Sequence, residues 1–112
     1  MENTQVYLKA MMSLIARQTF TPERLAEIVS PAANSRAYEA FNLCDGTRTQ
    51  TEISNALKID SGNFSRTVNK WVDEGVLIRI SDDNKDKLVH VYQIPDRIIS
   101  IAKKKEKGKS DE

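Results

Sequence analysis

One cysteine, Cys44, and one histidine, His90, are the chain's only thiol and only imidazole. A lone cysteine cannot close an internal disulfide, and the pair cannot assemble a Cys/His zinc site within one chain. Aromatic residues are scarce, at 6%, so the core has to be mostly aliphatic. Neither charge sign is in excess: 17 Lys and Arg stand against 16 Asp and Glu, a formal net charge of +1. That balance does not announce a nucleic-acid binder, so the distribution of charge carries more information. No apolar run is long enough to span a membrane, and Glu2 stands where a secretory signal would carry positive charge. The expected compartment is therefore the cytoplasm. Paired carboxylates, a nucleophile–base motif and a glycine-rich phosphate loop are also missing. No enzymatic activity and no cofactor are expected.

What is present reads as one small domain. A chain of 112 residues is marginal in the surface it can bury, and many such chains gain stability by pairing. Residues 6–15 place Val6-Tyr7, Ala10-Met11 and Leu14-Ile15 at helical spacing, with Leu8 and Met12 adding apolar surface on another side. This helix asks for burial on more than one face, and a symmetric homodimer through it is expected, joined by Ile98, Ile99 and Ile101. Thr21-Pro22-Glu23 then reads as an N-cap, a proline at the first helical position and an acid in the first turn. The helix it opens carries Leu25, Ile28 and Val29 and stops before Pro31. Residues 1–30 form an N-terminal helical region.

A second unit, residues 35–94, begins after a small polar connector. Ala37, Ala40, Phe41 and Cys44 share a helical face, and Asp45-Gly46 is the expected end of that helix. Thr49 and Glu52 fit a capping box for a short helix whose apolar side is Ile53, Ala56 and Leu57. Asp60 or Ser61 caps the next helix, which buries Phe64, Val68, Trp71 and Val72 and ends at Gly75. Beyond it the period changes to that of strands. Residues 76–80 and 88–94 are rich in β-branched side chains and flank a polar segment, residues 81–87, a hairpin with a polar tip. Residues 95–112 should hold a short helix and a disordered lysine-rich tail. The expected class is α+β, mostly α: a winged helix-turn-helix with two extra N-terminal helices and a β-hairpin wing.

In that arrangement the helix of residues 61–74 buries one face and leaves the other free to enter a major groove. At about 100° per residue the free face holds Gly62, Asn63, Arg66, Asn69 and Lys70. Arginine can pair bidentately with guanine and asparagine with adenine, and glycine lets backbone approach closely. Ser61, Ser65 and Arg48 are candidates for phosphate contacts.

Thr49-Gln50-Thr51-Glu52-Ile53, Leu57, Ile59-Asp60, Phe64-Ser65-Arg66, Val68, Trp71 and Glu74-Gly75-Val76-Leu77-Ile78 resemble the reading head of MarR-type regulators. Asp83-Asn84-Lys85-Asp86-Lys87 is similar to the wing pattern of that family. The resemblance covers residues 45–91, somewhat under half the chain. It implies double-stranded DNA as partner and a role in transcription regulation. Asp82, Asp83 and Asp86 make the wing tip net acidic, so the wing should add little affinity for phosphate.

Single residues read as structural. Asn42-Leu43-Cys44-Asp45 is faintly similar to the metal box of ArsR-type repressors, but that box needs further thiolates. Cys44 on an apolar face reads as buried filler, His90 as a strand residue and Trp71 as a packing anchor. Lys103, Lys104, Lys105, Lys107 and Lys109 read either as a solvated end or as sequence-independent attraction to DNA. The second function class is a winged-helix docking module for another protein, favoured by the near-neutral charge and the acidic wing.

Overall fold

The computed structural model describes residues 2–82 and 84–110. Asp83 of the wing tip lies outside them, as do the side chains of Asp82 and Lys109 and the last two residues of the tail. In chain order the elements are α1 (Glu2–Thr19), α2 (Pro22–Val29), α3 (Ser35–Leu43), β1 (Asp45–Thr49), α4 (Gln50–Leu57), α5 (Ser61–Asp73), β2 (Leu77–Asp82), β3 (Lys85–His90) and α6 (Asp96–Ser110). The fold is α+β and mostly helical, with one three-stranded antiparallel sheet in the order β1-β3-β2. No described helix is long and apolar enough to cross a membrane.

Local chemistry starts α2, α4 and α5 where the sequence indicates, and Asn34 adds a cap not singled out there. Thr21 caps α2, its side chain accepting from the Arg24 N–H, with Pro22 at the first position. Asn34 caps α3 and Asp60 caps α5. Thr49 and Glu52 form a complete capping box: Thr49 Oγ1 accepts from Glu52 N–H at 3.2 Å, and the Glu52 carboxylate accepts from Thr49 N–H at 2.8 Å. Thr49→Ala removes one half of that exchange and should cost about 1 kcal/mol, read as a lower urea midpoint at unchanged slope.

Several expectations are corrected. The helix expected to end at Asp45-Gly46 ends earlier, at Leu43, and Asp45 opens strand β1. Gly46 does adopt a positive φ, 93°, but within β1, where the register against β3 shifts between Asp45 and Thr49. A Cβ on Gly46 would lie 3.3 Å from Val89 Cγ2, so glycine both permits the bulge and admits the neighbouring strand. The hairpin also has almost no loop: Ile80 faces Lys87, Ser81 faces Asp86 and Asp82 faces Lys85. The polar segment is thus ladder, closed by Asn84 at a φ of 66°. The second strand stops at His90, and Val91, Tyr92 and Ile94 are buried beyond it, with the Val91 N–H still donating to the Val76 carbonyl at 3.1 Å.

The lysine-rich end is helical to Ser110, where the sequence suggested a short helix and disorder. Tertiary contacts hold it. The Glu106 carboxylate accepts from the Ser35 N–H at 2.7 Å and from its hydroxyl at 2.6 Å, and Lys103 pairs with Glu39 at 2.9 Å. Ala102 is buried, and Ile98 and Ile99 pack at the core's edge.

The core is mostly aliphatic, as the composition requires, but its centre is aromatic. Trp71 meets Phe41 edge-on at 5.2 Å and Phe64 at 6.0 Å between ring centroids. Its indole N–H donates to the Val29 carbonyl at 2.9 Å, fastening α5 to the end of α2. His90 stacks on Phe41 at 5.5 Å. Burial holds its pKa below the usual histidine range, favouring the neutral ring. Cys44 is fully buried, its thiol donating to the Ala40 carbonyl, and burial followed by the nearby Asp45 charge pushes its pKa up to about 12. It is a packing residue without thiolate character.

Helix α1 is only partly absorbed. Ala16 is buried and Met12 and Phe20 pack on the core. Three polar contacts pin it: Lys9 to the Asp45 carbonyl at 2.9 Å, Arg17 over the Tyr92 ring at 4.5 Å, and Tyr92 hydroxyl to the Phe20 carbonyl at 2.7 Å. The opposite side carries Val6, Tyr7, Met11, Leu14 and Ile15, each more than half exposed, with Leu8 beside them. The burial expected for this helix is not supplied by the described residues of its own chain.

Candidate functional site

Helix α5 has two faces of opposite character. Phe64, Val68 and Trp71 are buried on one. Ser61, Gly62, Asn63, Arg66, Asn69 and Lys70 are all exposed, while Ser65 is half-buried beside the core-facing row. The angular bookkeeping of a helix places Arg66 at the middle of the outward face, with Gly62 one turn before it and Asp73 two turns on.

The exposed side chains are not independent of one another. Arg66 Nη2 donates to Asn63 Oδ1, curling the guanidinium back over the first turn. A Cβ on Gly62 would lie 3.9 Å from Arg66 Nη1, an ordinary contact, and 3.3 Å from the Asp60 carboxylate. The Asp60 carboxylate is occupied by the Asn63 N–H at 2.9 Å. Lys70 stands at the edge of the face, next to Glu27, Pro31 and Glu74 around a shallow depression.

Arg48 is placed differently from the rest of the candidate set. It sits half-buried on β1, and its guanidinium donates to the Asp45 carboxylate at 3.1 Å and to the Leu43 carbonyl at 3.3 Å. The second contact satisfies a carbonyl left open at the end of α3. Hydrogen bonds from Thr47 and the Arg48 charge hold the Asp45 carboxyl below the usual range, although burial, the largest single influence, opposes them. Arg48 therefore finishes a helix end and is not gathered onto the α5 face.

The chain matches no protein-family model, and has no significant match among curated proteins or solved structures.

Two residues join the face that sequence reasoning passed over. Arg79, exposed on β2, donates Nη2 to Asn69 Oδ1 at 2.5 Å and Nη1 to Gln50 Oε1 at 3.3 Å. It thereby links the hairpin, the first residue of α4 and the outward row of α5. The strand alternation around Ile78 and Ile80 places Arg79 on the solvent side. Only the tertiary fold brings it to Asn69. Among the described residues no group of three or more His, Cys, Asp or Glu side chains is gathered as a metal would need.

Proposed function

We propose that the chain is a cytoplasmic winged helix-turn-helix regulator, a symmetric homodimer that binds double-stranded DNA by laying α5 in the major groove. The observation that carries the reading is the α5 face itself. Gly62, Asn63, Arg66 and Asn69 stand exposed in one row, on a helix whose other side is fixed by Phe64, Val68 and Trp71. The element order α3-β1-α4-α5-β2-β3 with strand order β1-β3-β2 supports it, since that order suits a helix-turn-helix followed by a wing. The resemblance of residues 45–91 to MarR-type reading heads agrees with it. The uncovered side of α1 supports pairing of two copies.

The direct test compares a selected duplex with a scrambled one, before and after Arg66→Ala. Loss of its guanidinium should cost roughly 1–3 kcal/mol on the preferred duplex and relax choice at one base pair. Lys70→Ala should weaken both duplexes alike, as a phosphate contact does. Both variants should melt like the parent, because neither side chain faces the core. A folded Arg66→Ala protein with undiminished preference would move the chain to the second reading, a docking module for another protein. That second reading is favoured by the net charge of only +1.

A further inference from the structure

Which base α5 can read is written in the orientation of its asparagines, and this step rests on the DNA-binding reading above. Asparagine recognises adenine by accepting from its N6 amino group and donating to N7, so both ends of the amide have to be available. In the structure the acceptor end is already engaged and turned by a neighbour. Oδ1 of Asn69 is taken by Nη2 of Arg79 at 2.5 Å. Arginine carries donors and no acceptor, so this contact fixes which end of the amide points where: oxygen toward β2, NH2 away from it. Gln50 holds the same guanidinium from another side at 3.3 Å, which keeps the fork in place between α4 and α5. The first turn repeats the pattern, with Asn63 Oδ1 accepting from Arg66. Both asparagines have their acceptors engaged by arginines, and both arginines can only donate. The amide and guanidinium groups in this row therefore offer N–H groups outward.

We infer that Arg79 is a specificity-determining positioning residue: by holding Oδ1 of Asn69 toward β2 it leaves the NH2 as the end turned away from the hairpin, suited to guanine rather than adenine. Guanine presents two adjacent major-groove acceptors, O6 and N7, whereas adenine sets an amino group against an incoming NH2. The adenine pairing expected from the sequence is thereby replaced. Arg79 acts through Asn69 and need not touch a base.

The experiment is selection from a random duplex library with the parent, Asn69→Ala, Arg79→Lys and Arg79→Ala, at two salt concentrations. Asn69→Ala identifies the base pair, as the position where preference relaxes. The parent should hold guanine over adenine there by roughly tenfold or more. Arg79→Lys keeps the charge but not the fork, so it should lose or reverse that preference while keeping the parent's salt dependence. In the free protein, Arg79→Lys should also move the Asn69 side-chain NH2 signals in a nitrogen-15 NMR spectrum. An unmoved signal overturns the inference and leaves DNA binding standing. Adenine at that position in the parent does the same. So does an Arg79→Ala variant whose salt slope falls by about one unit with preference intact, the mark of a plain phosphate contact. A library that yields no preferred duplex for the parent removes the DNA reading, and this inference falls with it.

Discussion

Trp71→Ala should lower the unfolding free energy by about 3–5 kcal/mol, the range for emptying a large aromatic site in a core. The neighbours do not readily refill the site, because they are themselves large and packed: Phe41 and Phe64 meet the indole edge-on at 5.2 and 6.0 Å. The substitution also strands the Val29 carbonyl, which the indole N–H satisfies at 2.9 Å. This carbonyl ends α2, so the loss falls on the junction between the N-terminal helices and α5. Small domains have about 5–15 kcal/mol in total, and a loss of this size should lower the melting temperature by roughly 10–30 °C. Trp71→Phe helps to separate the two contributions, since it removes the donor while keeping most of the ring volume. Its cost should be nearer 1–2 kcal/mol. Thermal melts followed by circular dichroism are sufficient. An alanine variant melting within a few degrees of the parent would mean that Trp71 does not hold the centre of the core.

The second large effect is on assembly. Met11→Glu with Leu14→Glu should turn a dimer into a monomer without loosening the fold. Both side chains are more than half exposed in the single chain, at 58% and 65%, so neither carboxylate is forced into the core. In a symmetric pair of α1 helices the same carboxylates would be desolvated against apolar neighbours, including Tyr7 and Ile15. Fully burying one such side chain is worth about 1.5–3 kcal/mol, and an unpaired charge in its place costs several more. The dimer constant should weaken at least about a hundredfold, equivalent to about 2.7 kcal/mol. Sedimentation at tens of micromolar should show the parent as a dimer and the variant as a monomer, with matching helical spectra. A parent that sediments as a monomer under those conditions removes the homodimer from the proposal.

What the sequence made legible was mostly local. Thr21-Pro22, the Thr49–Glu52 exchange and Asp60 act within a turn of their own positions, so residue identity alone indicates them. The outward row of α5 was legible for the same reason, because helical spacing orders residues 62–70 without knowledge of the rest of the fold. Strand β1 was not. Asp45-Gly46-Thr47-Arg48-Thr49 has no apolar alternation, and it becomes a strand through its ladder with β3. The length of α6 was hidden because a run of lysines disfavours a core, whereas the anchors that order it, Ser35 and Glu39, lie far away in sequence. Arg79 escaped notice for a similar reason, its partners coming from two other elements. The local role of Arg48 was not legible either, because the Leu43 carbonyl and Asp45 carboxylate that it meets are placed by the end of α3 and the start of β1.

Between Ser35 and Asp73 only Cys44 and residues 58–60 lie outside helix or strand. Even these are held: Cys44 is buried, the Ile59 N–H donates to the Ser54 carbonyl at 2.9 Å, and Asp60 caps α5. β1 passes into α4 with no intervening residue, since Thr49 ends one and caps the other. The segment has little conformational entropy left to lose, so docking of α5 need not be opposed by ordering of its own backbone. Preorganisation of this kind assigns the accommodation to the other side. If α5 docks as proposed, any adjustment of shape falls to the surface that receives it.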